Sequence, residues 1–153
     1  MVQLSHPRKF PVGLLALAIL LSVTLAGCGG QDKQNGSHNF TMASTSDMPA
    51  EVLAAPVVVQ EAYQFATANP EVLTRIPCYC GCGDMGHTSN YACYISTLDA
   101  NGKPVYDTHA LGCSICVDIT QDTMRLLDQG KSVPEIRTYI DETYAKYGPS
   151  NMP

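Results

Sequence analysis

The chain is short of most things that would give its function away. With 153 residues it has no room for a multi-domain enzyme. It has nine Lys and Arg and nowhere gathers them into a basic cluster; from Cys28 onward, seven basic side chains face 14 acidic ones. An acidic body of this kind excludes phosphate-backbone binding as the main activity, so nucleic acid is not an expected partner. No internal repeat is present. Nothing reads as a nucleotide-cradling glycine loop, a serine nucleophile elbow or a catalytic carboxylate pair. Its one long apolar run, Val12 to Leu21, falls short of the roughly 20 residues a permanent membrane helix needs.

That run is placed as an export signal would be. Arg8 and Lys9 precede it, the small residues Ala26 and Gly27 follow, and no acidic residue occurs before Asp32. Leu25-Ala26-Gly27-Cys28 resembles a bacterial lipobox. The resemblance implies a signal peptide over 1–27 and lipidation of Cys28, with palmitate among the acyl chains. Several acyl chains on one residue suffice for stable anchoring. The expected location is therefore the cell membrane, lipid-anchored and facing the extracytoplasmic side. Residues 28–47 are polar and glycine-containing and are expected to form a flexible tether, with His38 and Met42 as solvated linker residues.

A single domain is expected over 48–149, mostly α, with a C-terminal helical hairpin and a Cys/Gly-rich loop. Pro56 opens a helix whose apolar face comprises Val57, Val58, Glu61, Ala62, Phe65 and Ala66, and Asn69-Pro70 stops it. Glu71–Arg75 reads as a turn. Pro77–Tyr91 carries three glycines and no apolar period, so it is a loop. Tyr94–Leu98 and Val105-Tyr106 flank Asn101-Gly102 and suggest a hairpin. From Ser114 a helical stripe of Cys116, Ile119, Thr120, Thr123 and Leu127 runs to a glycine cap at Gly130. Ser132 to Glu135 is a capping box for a last helix burying Val133, Ile136, Ile140 and Tyr144.

The domain is rich in one reactive residue type. Cys78, Cys80, Cys82, Cys93, Cys113 and Cys116 form C-x-C-x-C, a lone cysteine and C-x-x-C. Six cysteines in an exported domain are open to reading as three disulfides, which would make the protein a stapled interaction module. The spacing favours a metal instead. In an extended segment Cys78, Cys80 and Cys82 share a face, and glycines at 81 and 83 let the loop curl around a centre. Soft sulfur donors select Cu(I) or Zn, and six thiolates exceed the need of one tetrahedral Zn, which makes Cu(I) the expected cofactor with Zn the alternative. His87 and His109 lie close enough in sequence to complete the site, and Met85 is a further soft donor. Asp84, Asp99 and Asp107 read as turn residues, and Tyr79, Tyr91 and Tyr94 as walls of the loop. Cys113 and Cys116 sit at a helix start, where the dipole favours thiolate. That leaves a rival activity open: thiol–disulfide exchange on exported proteins by Cys113 and Cys116. Either activity would call for an exported metal or redox partner protein. No catalytic residue is assigned.

Pro77-Cys78-Tyr79-Cys80-Gly81-Cys82, followed by His87, Cys93, His109 and Cys113-x-x-Cys116, resembles the PCYCGC-motif lipoprotein family over about residues 50–149. The resemblance implies metal binding. The stretch from Cys113 to Gly148 is also similar in part to the CcmH-type cytochrome c assembly domain, a small helical bundle with a redox C-x-x-C. That similarity implies a helical hairpin.

Overall fold

A computed structural model describes residues 38–152. The expected signal 1–27, Cys28 and the first part of the tether lie outside them. Among the described residues five α-helices and one two-stranded sheet are present: α1 (Ala50–Leu53), α2 (Val57–Ala68), α3 (Pro70–Leu73), β1 (Ile95–Leu98), β2 (Pro104–Tyr106), α4 (Ser114–Asp128) and α5 (Val133–Tyr144). The domain is mostly α, as expected. No helix among the described residues is long and apolar enough to cross a membrane.

Three helices make the frame. α4 packs against α2 on one side and α5 on the other. Its buried face consists of Cys116, Val117, Ile119, Thr120, Thr123, Met124 and Leu126. α5 contributes Ile136, Ile140 and Tyr144 at the expected helical spacing. Each fully buried Ile is worth about 1.5–3 kcal/mol relative to exposure, so this seam holds the domain together. Both caps between α4 and α5 form. Gly130, at φ 77°, donates its N–H to the Leu127 carbonyl, while Lys131 N–H reaches the Leu126 carbonyl. That pair of bonds is a Schellman ending, and a left-handed residue is what it demands. Ser132 and Glu135 then close the capping box.

α2 starts after Pro56 and ends at Asn69 as the sequence suggests, but its buried face is rotated. Val57 and Val58 are exposed, and Tyr63 is fully buried beside Ala62, Phe65 and Ala66. The first turn of α2 projects past the edge of the core. Glu71–Arg75, read as a turn, begins within the short helix α3, because Pro70 supplies a pre-set φ at its first position. The hairpin pairs Ile95 with Tyr106 and Leu98 with Pro104. Its connection is wider than Asn101-Gly102 alone: Asp99 N–H bonds the Lys103 carbonyl, and the Asp99 carboxylate accepts from Asn101 and Lys103 N–H.

The tether expected over 28–47 is corrected in its second part. His38 Nδ1 lies 2.6 Å from Asp128 Oδ2, and Asn39 side-chain N–H groups bond the Leu127 and Asp128 carbonyls at the end of α4. Phe40 packs edge-on against Phe65, and Ala43 N–H donates to the Gln64 carbonyl. Asn39 supplies a second donor to the Leu127 carbonyl and a partner for the Asp128 carbonyl at the helix end, which fixes this segment on the domain. At the other end the expected boundary of 149 is also too short, because Asn151 bonds Cys78.

Candidate metal centre

The loop from Pro77 to Cys93 is irregular, and its shape comes from single residues. Gly81 and Gly86 adopt φ 82° and 87° on either side of a short 3-10 turn, Cys82–Met85. This left-handed backbone is open to glycine at little cost and turns the chain back twice within six residues. A buried polar network then pins the loop to α4. Asn90, fully buried, donates from Nδ2 to the Cys116 carbonyl and accepts at Oδ1 from Thr120. Tyr94 donates to the same Cys116 carbonyl at 2.9 Å. The chain tail closes the other side. Cys78 N–H donates to Asn151 Oδ1 at 2.7 Å, Asn151 N–H donates to the Cys78 carbonyl, and Asn151 Nδ2 lies 3.5 Å from Cys82 Sγ.

The six cysteines are all free, and all six converge with the two histidines. Cys78 Sγ is 3.4 Å from both Cys80 Sγ and Cys116 Sγ, and Cys80 Sγ is 3.6 Å from Cys116 Sγ. Cys82 and Cys93 approach to 3.6 Å. Tetrahedral ligands at the usual Zn–S length of about 2.3 Å stand roughly 3.8 Å apart, so these separations are close to those of sulfurs around one ion. No sulfur has an exclusive partner, which is the arrangement of a cluster and not of three bridges.

Two four-donor sets can be drawn, each with all ligand atoms within 4.8 Å of one another. One is Cys80, His109, Cys113 and Cys116; the other is Cys82, His87, Cys93 and His109. Cys78 sits between them, grouped with Cys80 and Cys82 and again with Cys93 and Cys116. Each sequence-predicted cysteine and histidine of the domain belongs to at least one of these groups. Met85 is exposed, its 3-10 turn facing solvent.

Electrostatics explains why such a centre favours a cation. Hydrogen bonds from Cys116 and then Cys93 hold the Cys78 thiol far below its ordinary range. Cys116 is pushed far up by its bond to Cys78, then its bond to Cys93 and burial. Burial, followed by the charge on Cys78, raises Cys80 and Cys82. Cys93 is lowered by its bond with Cys116, yet the bond to Cys78 and burial carry it upward. One negative charge is thus tolerated and the next is resisted. A metal ion reverses this by supplying positive charge as the protons leave.

Asp107 does more than the expected turn. Its Oδ1 accepts from His109 N–H at 2.7 Å and its Oδ2 lies 3.4 Å from His87 Nε2. A carboxylate on one ring nitrogen orients the other nitrogen toward a metal. His87 Nδ1 is buried and has no hydrogen-bond partner. The aspartate two residues before His109 was the sequence signal for this role. Asn90 and Asn151 gave none, since their contacts join segments 26 and 73 residues apart. Tyr79 and Tyr94 wall the loop as expected, with Tyr79 donating to Asp141 at 2.6 Å.

A small, mostly α domain with a gathered cysteine–histidine centre able to hold a metal ion is the class that fold and site define. The chain belongs to the family described as proteins of unknown function with a PCYCGC motif, whose model matches residues 17–153. No curated protein and no solved structure matches it, so the likeness to the cytochrome c assembly domain stands without further support.

Proposed function

We propose that this is an exported lipoprotein, anchored at the extracytoplasmic face of the membrane through Cys28, that binds a soft metal ion for storage, delivery or sensing. Cu(I) is the preferred ion and Zn the alternative. The observation that carries the reading is the convergence of six thiols and two imidazoles from three separate segments onto one centre. The donor set fits a soft cation: mostly sulfur, some nitrogen, and no carboxylate among the ligand groups. The Cys113–Cys116 pair is poorly suited to independent thiol exchange, because Cys116 Sγ also lies 3.4 Å from Cys78 Sγ and 3.6 Å from Cys80 Sγ.

The test is a thiol and metal count on the full chain, purified anaerobically in detergent, followed by Cu(I) titration against a competing chelator for wild type and Cys80→Ser. Bound metal that falls in Cys80→Ser supports the reading. Equal binding in both proteins, or none in either, overturns it. A redox potential of Cys113–Cys116 unchanged by Cys80→Ser would favour the oxidoreductase, and three inert disulfides would favour the stapled module. Mass and membrane retention unchanged in Cys28→Ser would remove the lipid anchor.

A further inference from the structure

Resting on the metal-binding reading above, we propose that the centre has two lobes that hold one ion each, a buried lobe that retains its metal and an open lobe that exchanges it with partners. Eight donors converge, and one four-coordinate ion would leave half of them unused. The unused half would include buried groups. Cys82 and Cys93 are buried, and His87 Nδ1 is buried without a hydrogen-bond partner while Asp107 occupies its Nε2 side. A buried ring nitrogen left bare is costly, and an ion between Cys82, Cys93 and His87 satisfies it.

The second donor set differs in exposure. Cys80, Cys113 and His109 are each half-buried, and only Cys116 is fully covered. An incoming thiolate or thioether reaches an ion there from the Cys113 side. A bond from the incoming sulfur to the metal forms as the Cys113 bond breaks. Further donors of the partner then replace Cys80, His109 and Cys116 in turn, so the ion leaves at unchanged oxidation state and the vacated thiolates take up protons. The partner is thus an exported protein presenting a soft sulfur donor at its surface. Cys78 and His109 stand at the seam and allow both lobes to fill together.

The experiment loads the full chain in detergent with Cu(I), counts ions by native mass spectrometry, and follows their removal by a competing chelator. The expected result is two ions per chain, the second released about tenfold or more slowly than the first. Cys113→Ser should lose the fast ion and keep the slow one; His87→Gln should do the reverse. One ion per wild-type chain, a single release rate for both ions, or loss of both ions in each variant overturns the two-lobe arrangement while leaving metal binding intact. No ion at all overturns the metal-binding reading itself. Circular dichroism checks that the variants fold, and the wild-type release curve decides alone if one does not.

Discussion

The α4–α5 frame and the Pro77–Cys93 loop are neighbours built on opposite principles. The frame buries Ile119, Ile136 and Ile140 completely, at helical spacing, with both connecting caps in place. Its cohesion is intrinsic. Cys78, Cys82 and Cys93 of the loop are just as buried, but part of what their side chains meet is one another and Cys116. Thiol–thiol contacts are weak bonds, and the loop relies on Asn90, Tyr94 and Asn151 to stay against the frame. The frame is a fold; the loop is a ligand set brought to it.

The largest effect should separate the two. Ile140→Ala removes a fully buried side chain from the seam and should cost about 2–5 kcal/mol. Because Ile140 lies in the frame, the loss should be the same for metal-free and metal-loaded protein. Cys80→Ser should behave oppositely, with a small change when metal-free and the open lobe's share of the metal-induced stabilisation gone. Thermal melts of both variants with and without Cu(I) check this. Equal metal-induced stabilisation in wild type and Cys80→Ser would erase the contrast.

Smaller effects should come from residues that touch ligands without being ligands. Asp107→Asn weakens the hold on the His87 imidazole and on the His109 backbone N–H, and Asn151→Ala removes the partner of Cys78 N–H and the amide beside Cys82 Sγ. Each should reduce metal affinity about 10–100-fold while leaving far-UV dichroism unchanged, read by chelator competition. A change in melting temperature without a change in affinity would assign both residues to the frame.

The same division governs what could be read from the sequence. The α4–α5 hairpin was legible because its period, glycine cap and capping box are local and agree with one another. The donor residues were legible because C-x-C-x-C and C-x-x-C are rare and chemically specific. The buried face of α2 was misjudged, since Val57 and Val58 have the right period but lie beyond the core edge. Tyr63, outside that face by sequence, is fully buried, and its hydroxyl donates to the Asp107 carbonyl. The packing of residues 38–47 was hidden by their polar composition: Asn39 binds through helix-end carbonyls that no sequence pattern announces. How the donors divide between two sets depends on contacts between distant segments, and no local pattern encodes it.

The smallest effect belongs to the capping box, and it bears on the frame alone. Glu135 accepts from Ser132 Oγ at 2.6 Å and from Ser132 N–H at 2.9 Å, with Lys131 Nζ at 3.3 Å. The Ser132 side-chain bond, then its backbone bond and Lys131, lower the Glu135 carboxyl from its usual 4.5 to about 2. A carboxyl lowered by folding stabilises the folded state in full above its ordinary value. That contribution is lost progressively as pH falls from about 4.5 toward about 2. Glu135→Gln should therefore melt below wild type at neutral pH, by less at high salt, and the two profiles should converge as pH falls across that interval. Ser132→Ala, which removes the hydroxyl half of the box, should cost about 1 kcal/mol. Neither change should alter the number of metal ions bound, since the cap's bonds join Ser132, Glu135 and Lys131 and none reaches a ligand. Metal loss in Ser132→Ala would mean that the frame and the loop are not separable, and that the start of α5 helps to shape the centre.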